Sequence, residues 1–126
     1  MQLQDSISRE NIKKLVHLFY TKTLASIELR GFFVNELGAD MKNEAWSKHI
    51  ELLTDFWSTM LLGEKSYTGD PFGPHALIPD LKRESFQKWM ELFSASADEV
   101  YFPDVAVRFK KKAERFSKRF MRNLML

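Results

Sequence analysis

Apolar residues recur along the chain at intervals of three and four, and four stretches keep that rhythm over several turns. In the first stretch Ile12, Leu15, Val16, Phe19 and Thr23 form the apolar stripe, with Tyr20 at its edge. His17 lies further round, toward the polar side, and is expected on the surface. Ser8 is placed to cap this helix and Glu10 to sit in its first turn. The helix is predicted to run to about Arg30, where Gly31 ends it. Phe32 and Phe33 then fall in a tight corner.

Asp40 is placed to cap a second helix over about residues 41–62, ended by Gly63. Trp46, His49, Ile50, Leu52, Leu53, Phe56, Trp57, Met60 and Leu61 cover one face. Lys48, Glu51, Thr54, Asp55 and Ser58 cover the other. His49 is thus inside the apolar stripe, where a neutral imidazole needs a partner or costs about 1–3 kcal/mol. Residues 64–80 form a Gly- and Pro-rich connection, long enough to suggest a functional loop. Asp80 is placed to cap a third helix reaching about Tyr101, with Phe86, Trp89, Met90, Phe93, Ala97, Val100 and Tyr101 on its apolar face. A last helix follows Pro103, from about Asp104 to Leu124, striped by Val105, Phe109, Ala113, Phe116, Phe120 and Leu124. No strand-like alternation or internal repeat occurs. The prediction is an all-α fold, one domain over residues 1–126, with four long helices and one short turn between Pro74 and Pro79. The irregular connection argues against a plain up-down bundle.

Composition narrows the chemistry. The 126 residues contain no cysteine, which excludes disulfides, thiol catalysis, Cys-ligated metals and thioether-attached haem. Eleven Phe raise the aromatic share to 13%, more flat apolar surface than a plain helical domain needs. Charged residues among the first twenty leave no signal-peptide core, and no long uncharged apolar run could span a membrane. A cytoplasmic protein without a membrane partner is the expectation. From Asp104 onward eight basic residues face two acidic ones, so that segment carries +6 and residues 1–103 carry −4 of the net +2. Such a run most often clothes a solvated face.

One imidazole, His75, sits in a rigid turn flanked by Pro71, Pro74 and Pro79. Most loop histidines bind nothing. A single clamped nitrogen donor beside much flat apolar surface is nevertheless a candidate axial ligand to haem iron. Tyr20, His49 and Trp89 come from three further segments and would give polar groups over an apolar cavity. Candidate walls are Phe19, Phe33, Leu53, Phe56, Met90 and Phe93.

These residues carry a resemblance. Leu18-Phe19-Tyr20, Phe32-Phe33, Trp46-Ser47-Lys48-His49 and Phe56-Trp57 come first, followed by Leu61-Leu62-Gly63 and Tyr67-Thr68-Gly69-Asp70-Pro71. Then come His75 and Phe86-Gln87-Lys88-Trp89-Met90-Glu91-Leu92-Phe93. In this order and spacing, over about residues 8–95, the chain resembles the group III truncated haemoglobins. The paired-glycine motifs of the other truncated groups are missing, as they are in group III. The last helix matches only in length and pattern.

The resemblance implies a two-over-two helical globin fold around b-type haem. By it, His75 is the proximal iron ligand and Tyr20, His49 and Trp89 line the distal side. Trp57, Tyr67 and Phe72 join the haem pocket. Dioxygen, nitric oxide and carbon monoxide are the implied ligands. Conversion of nitric oxide to nitrate, or a peroxidase-like side activity, would be an enzymatic use. Nitric oxide turnover would need a separate reductase, since no flavin or nicotinamide motif is present. Lys82, Arg83 or a cation of the last helix would meet the haem propionates. Two other readings remain. His49 could take the sixth iron position in an electron-transfer or sensing protein. The basic last helix could instead make the chain a binding module for acidic protein, with nucleic acid the less favoured partner.

Overall fold

The computed structural model describes residues 2–69, 78 and 80–126, and the Pro74–Pro79 turn, His75 and Phe72 lie outside that set. Among the described residues there are five helices and no sheet. They are α1 (Arg9–Leu24), α2 (Ile27–Leu37), α3 (Glu44–Leu62), α4 (Arg83–Val100) and α5 (Pro103–Asn123). The fold is two packed pairs. α1 lies against α3, α4 lies against α5, and α1 crosses onto α4 between the layers. α2 bridges α1 and α4.

Ser8 caps α1 as expected, accepting the Asn11 amide at 3.2 Å while its own amide donates to Asn11 Oδ1 at 2.9 Å. The helix stops six residues before the predicted end. Ser26 adopts extended backbone and α2 starts at Ile27. Gly31 is therefore no terminator. It lies inside α2, on its exposed side, where an added Cβ would meet nothing within 4 Å. A mid-helix glycine costs roughly 1 kcal/mol relative to alanine. Burial of Leu29 and partial burial of Phe32 and Phe33 in the same helix outweigh that cost.

The cap of α3 is Asn43, not Asp40. Asn43 Oδ1 accepts the Trp46 amide at 2.8 Å, and its side-chain amide donates to the Leu37 carbonyl at 2.8 Å. Asp40 instead shapes the preceding turn by accepting the Lys42 amide at 2.9 Å. Gly63 ends α3 in the left-handed region, at φ +71°, as predicted. α4 begins at Arg83, three residues past the predicted Asp80 cap, and Ser85 Oγ accepts the Lys82 amide at 3.3 Å. α5 opens on Pro103, whose missing N–H is no loss in a first turn.

Two faces of α3 depart from the expected wheel. Thr54 and Ser58 are fully buried, while Leu52 is 48% exposed. Thr54 can sit in the core because its hydroxyl donates to the Ile50 carbonyl at 2.8 Å. The core joins Ile12, Leu15, Val16, Phe19, Trp46, Phe93 and Phe109 from all the long helices. The entry segment is stapled to the α4–α5 corner. Gln4 donates to the Val100 carbonyl at 2.9 Å, and Phe102 donates to the Gln4 carbonyl at 3.0 Å. Tyr101 donates to Asn11 Oδ1 at 2.6 Å beneath it. Arg9 ties α1 to α3 through Glu51 at 2.6 Å and Asp55. The Glu51 pair is exposed and contributes little, and the Asp55 pair is half-buried.

Candidate functional site

A cavity of about 310 Å³ opens between the layers. Its walls come from α1, α2, α3, α4 and α5 and from Tyr67, Ile78 and Leu81 of the connection. Of the expected site residues, Tyr20, Phe33, His49, Leu53, Phe56, Trp57, Tyr67 and Trp89 line it. Phe19, Phe93 and Met90 do not. Phe19 and Phe93 stand one layer behind, and Met90 faces a separate groove between α4 and α5.

Tyr20, His49 and Trp89, expected to converge, reach the same cavity from α1, α3 and α4. Tyr20 and His49 touch edge to face with ring centroids 4.8 Å apart. Phe19 packs on Tyr20 at 5.0 Å and on Trp89 at 5.6 Å, so both donors rest against one ring. Phe93 stacks on Trp89 at 5.4 Å and on Trp57 at 4.9 Å. Phe33 and Trp46 hold His49 from two more sides, at 6.2 and 5.7 Å. The Trp46 indole N–H is itself committed to the Gly38 carbonyl at 2.7 Å. His17, by contrast, is exposed, as expected.

The wall is almost wholly apolar. Burial pushes the Tyr20 hydroxyl far above the ordinary phenol range, and no hydrogen-bond partner among the described residues offsets this. The phenol therefore keeps its proton at every physiological pH. Glu36 stands at the exposed rim. Arg119 lies over the Phe116 ring at 5.8 Å, and Phe116 packs on Phe56 at 5.0 Å. Lys82 is exposed beside Leu81 of the wall, and Arg83 donates to the Leu126 carbonyl at 2.9 Å. No group of three or more His, Cys, Asp or Glu among the described residues could cage a bare metal ion.

Sequence reasoning missed much of the wall. Phe86, Phe116 and Phe120 read only as core stripe, and Phe32 only as a corner wedge. Their spacing shows that they point inward. It carries no sign of whether the inward side meets protein or an opening.

The chain matches no family model. It is 32% identical over 120 residues to group 3 truncated haemoglobin ctb of Campylobacter jejuni, covering 95% of this chain and 93% of that protein. The crystal structure of a group III truncated haemoglobin from Campylobacter jejuni superposes with a TM-score of 0.91 at 31% identity, covering 98% of this chain and 95% of that one. No helix among the described residues is long and apolar enough to cross a membrane. With its paired helices, its shared cavity and this kinship over almost its whole length, the chain belongs to the group III truncated haemoglobins.

Proposed function

We propose that this protein binds b-type haem in the interlayer cavity and takes up dioxygen, nitric oxide and carbon monoxide there. The observation that supports this most is the meeting of Tyr20, His49 and Trp89, from three helices, on one apolar cavity. The residues present fit such a group. Rings and aliphatic side chains offer flat apolar walls, and Tyr20 and Trp89 bring hydrogen-bond donors suited to a small electron-rich ligand, with the Glu36 carboxylate at the exposed rim. With no cysteine in the chain, attachment rests on one nitrogen ligand and on packing.

Haem, when bound, supplies the iron centre at which a diatomic ligand is held. His75 is the assigned protein ligand, on its proline-clamped setting in the sequence. Its imidazole would be neutral to give one nitrogen to the metal, and the N–H of its other nitrogen would donate a hydrogen bond to an acceptor. Tyr20 keeps its proton and donates a hydrogen bond to the ligand. The Trp89 indole N–H is the second donor. A charge-assisted hydrogen bond contributes about 1.5–3 kcal/mol, roughly ten- to hundredfold in ligand retention. Nitric oxide, dioxygen and one electron balance to nitrate, and a separate reductase would supply that electron.

Titration of the purified chain with hemin tests the reading. One Soret band per chain is expected, shifting on dithionite and carbon monoxide. A folded chain that gives no band refutes haem binding. His75→Ala should abolish stoichiometric retention, and an intact band in that variant removes His75 from the iron. A high-spin ferric spectrum is expected, because Tyr20, Phe33 and Trp46 pack the His49 ring on three sides. A low-spin resting spectrum would favour the bis-histidyl reading.

A further inference from the structure

We infer that the outward face of α5 is the docking surface for an acidic protein that donates single electrons. Arg108, Lys111, Arg115, Arg119 and Arg122 follow at spacings of three, four, four and three, so they share one side of the helix. All five are exposed. At 1.5 Å per residue the row spans about 21 Å. Asp104 begins the same line at the helix N-terminus, and no later carboxylate interrupts it. The ion pairs of α5 among the described residues are Lys110 with Asp98 and Lys118 with Glu114. Arg108, Lys111, Arg115 and Arg122 therefore have no counter-ion among the described residues. Like charges at such spacings destabilise a helix. An acidic surface laid along the row would relieve that repulsion.

The placement of the row favours an electron donor over nucleic acid. Arg119 lies over the ring of Phe116, and Phe116 lines the cavity. The inner edge of the row thus borders the cavity wall, and a protein seated on the row lies directly against that wall. A duplex would gain nothing from this adjacency. In transfer from a flavin, one electron leaves the anionic hydroquinone, which becomes the neutral semiquinone, and ferric iron becomes ferrous. No proton moves in that step. Transfer rests on the proposed haem function, whereas docking does not.

The probe is flavodoxin, a small acidic one-electron flavoprotein. Its binding to the isotope-labelled full chain is followed by chemical-shift mapping at low and at physiological ionic strength. The comparison is with the triple variant Lys111→Gln, Arg115→Gln and Arg122→Gln, none of which lines the cavity. Shifts are expected along α5, weakening with salt, and affinity should fall roughly tenfold in the triple variant. Reduction of the hemin-loaded protein by flavodoxin hydroquinone should slow by a similar factor, with haem content unchanged. Equal affinity of wild type and variant overturns the proposal, as does a shift map that avoids α5. Tighter, steeply salt-dependent binding of a DNA duplex on α5 overturns it in favour of nucleic acid. If hemin does not bind, the haem reading falls and the shift map still decides docking.

Discussion

Tyr20→Phe separates a ligand-holding phenol from a packing one. The ring is 5% exposed and packed by Phe19, Phe33, Trp46 and His49, and phenylalanine keeps all of that contact. Only the hydroxyl is lost, and it bonds to no described residue. Tyr20 lines the cavity, so its hydroxyl is not required to satisfy a partner within the packed fold. Its removal should leave the stability of the haem-free chain unchanged or raise it. On the proposed haem reading the hydroxyl donates to the bound ligand, so the same substitution should speed dioxygen release roughly ten- to hundredfold, from about 1.5–3 kcal/mol of lost hydrogen bond. Release is read by stopped-flow displacement with carbon monoxide, and stability by urea unfolding of the haem-free chain. Release should quicken while stability holds or rises. Lower stability with an unchanged release rate would refute the reasoning, because it would make Tyr20 a structural residue.

Other outcomes follow from the packing. Asn11→Ala should cost about 2–3 kcal/mol in urea unfolding with dioxygen release unchanged, because the side chain serves Ser8, Ser6 and Tyr101 at 2.9, 2.9 and 2.6 Å in the buried entry staple. Gly31→Ala should raise stability by about 0.5–1 kcal/mol, since it is an open helical position. Gly63→Ala should lower it by about 1 kcal/mol, since φ is +71° there. Equal signs for the two glycines would contradict the placement of α2. Burial raises the pKa of both Tyr20 and Tyr101. A raised pKa contributes stability that is complete below the unfolded phenol value of about 10 and is lost as pH climbs from there toward the folded value. The urea midpoint should therefore fall above about pH 10, and Tyr101→Phe should blunt the fall.

The long helices were legible because each keeps an apolar stripe over several turns, and stripes of that length outweigh single punctuating residues. Pattern and structure part where a single punctuating residue competes with a stripe. Gly31 looks like a stop in sequence, but glycine only weakens a helix whose neighbours Leu29 and Phe33 turn inward. Asp40 and Asp80 are good caps in isolation, but Asn43 also reaches back to Leu37, and Ser85 meets the Lys82 amide. Thr54 and Ser58 look like polar-face residues in sequence, but their small hydroxyls fit the packed core. At the site, the distal-side role of Tyr20, His49 and Trp89 comes from the family resemblance alone. Periodicity placed them on inward faces and could go no further, since a spacing of three and four is the same for a core ring and a cavity wall. Phe116 and Phe120 were missed for that reason.

What places the donors is ring packing rather than hydrogen bonding, and this bears on what they can do. Trp46 shows the alternative: its indole N–H is bound to the Gly38 carbonyl at 2.7 Å, which fixes the corner before α3 and leaves nothing to offer a ligand. Tyr20 and Trp89 are oriented by Phe19, and Trp89 again by the nearly parallel ring of Phe93. Phe93 in turn stacks on Trp57, so one fully enclosed ring sets the angle of two wall residues. A polar group held this way is aimed without being consumed, and it can donate to an incoming ligand with no protein bond to break first. That is the arrangement expected where electrostatic stabilisation must be prepared in advance. On the proposed haem reading, Phe19→Leu or Phe93→Leu, at rings that do not line the cavity, should therefore quicken ligand release through loss of aim at Tyr20 and Trp89, read by the same stopped-flow displacement.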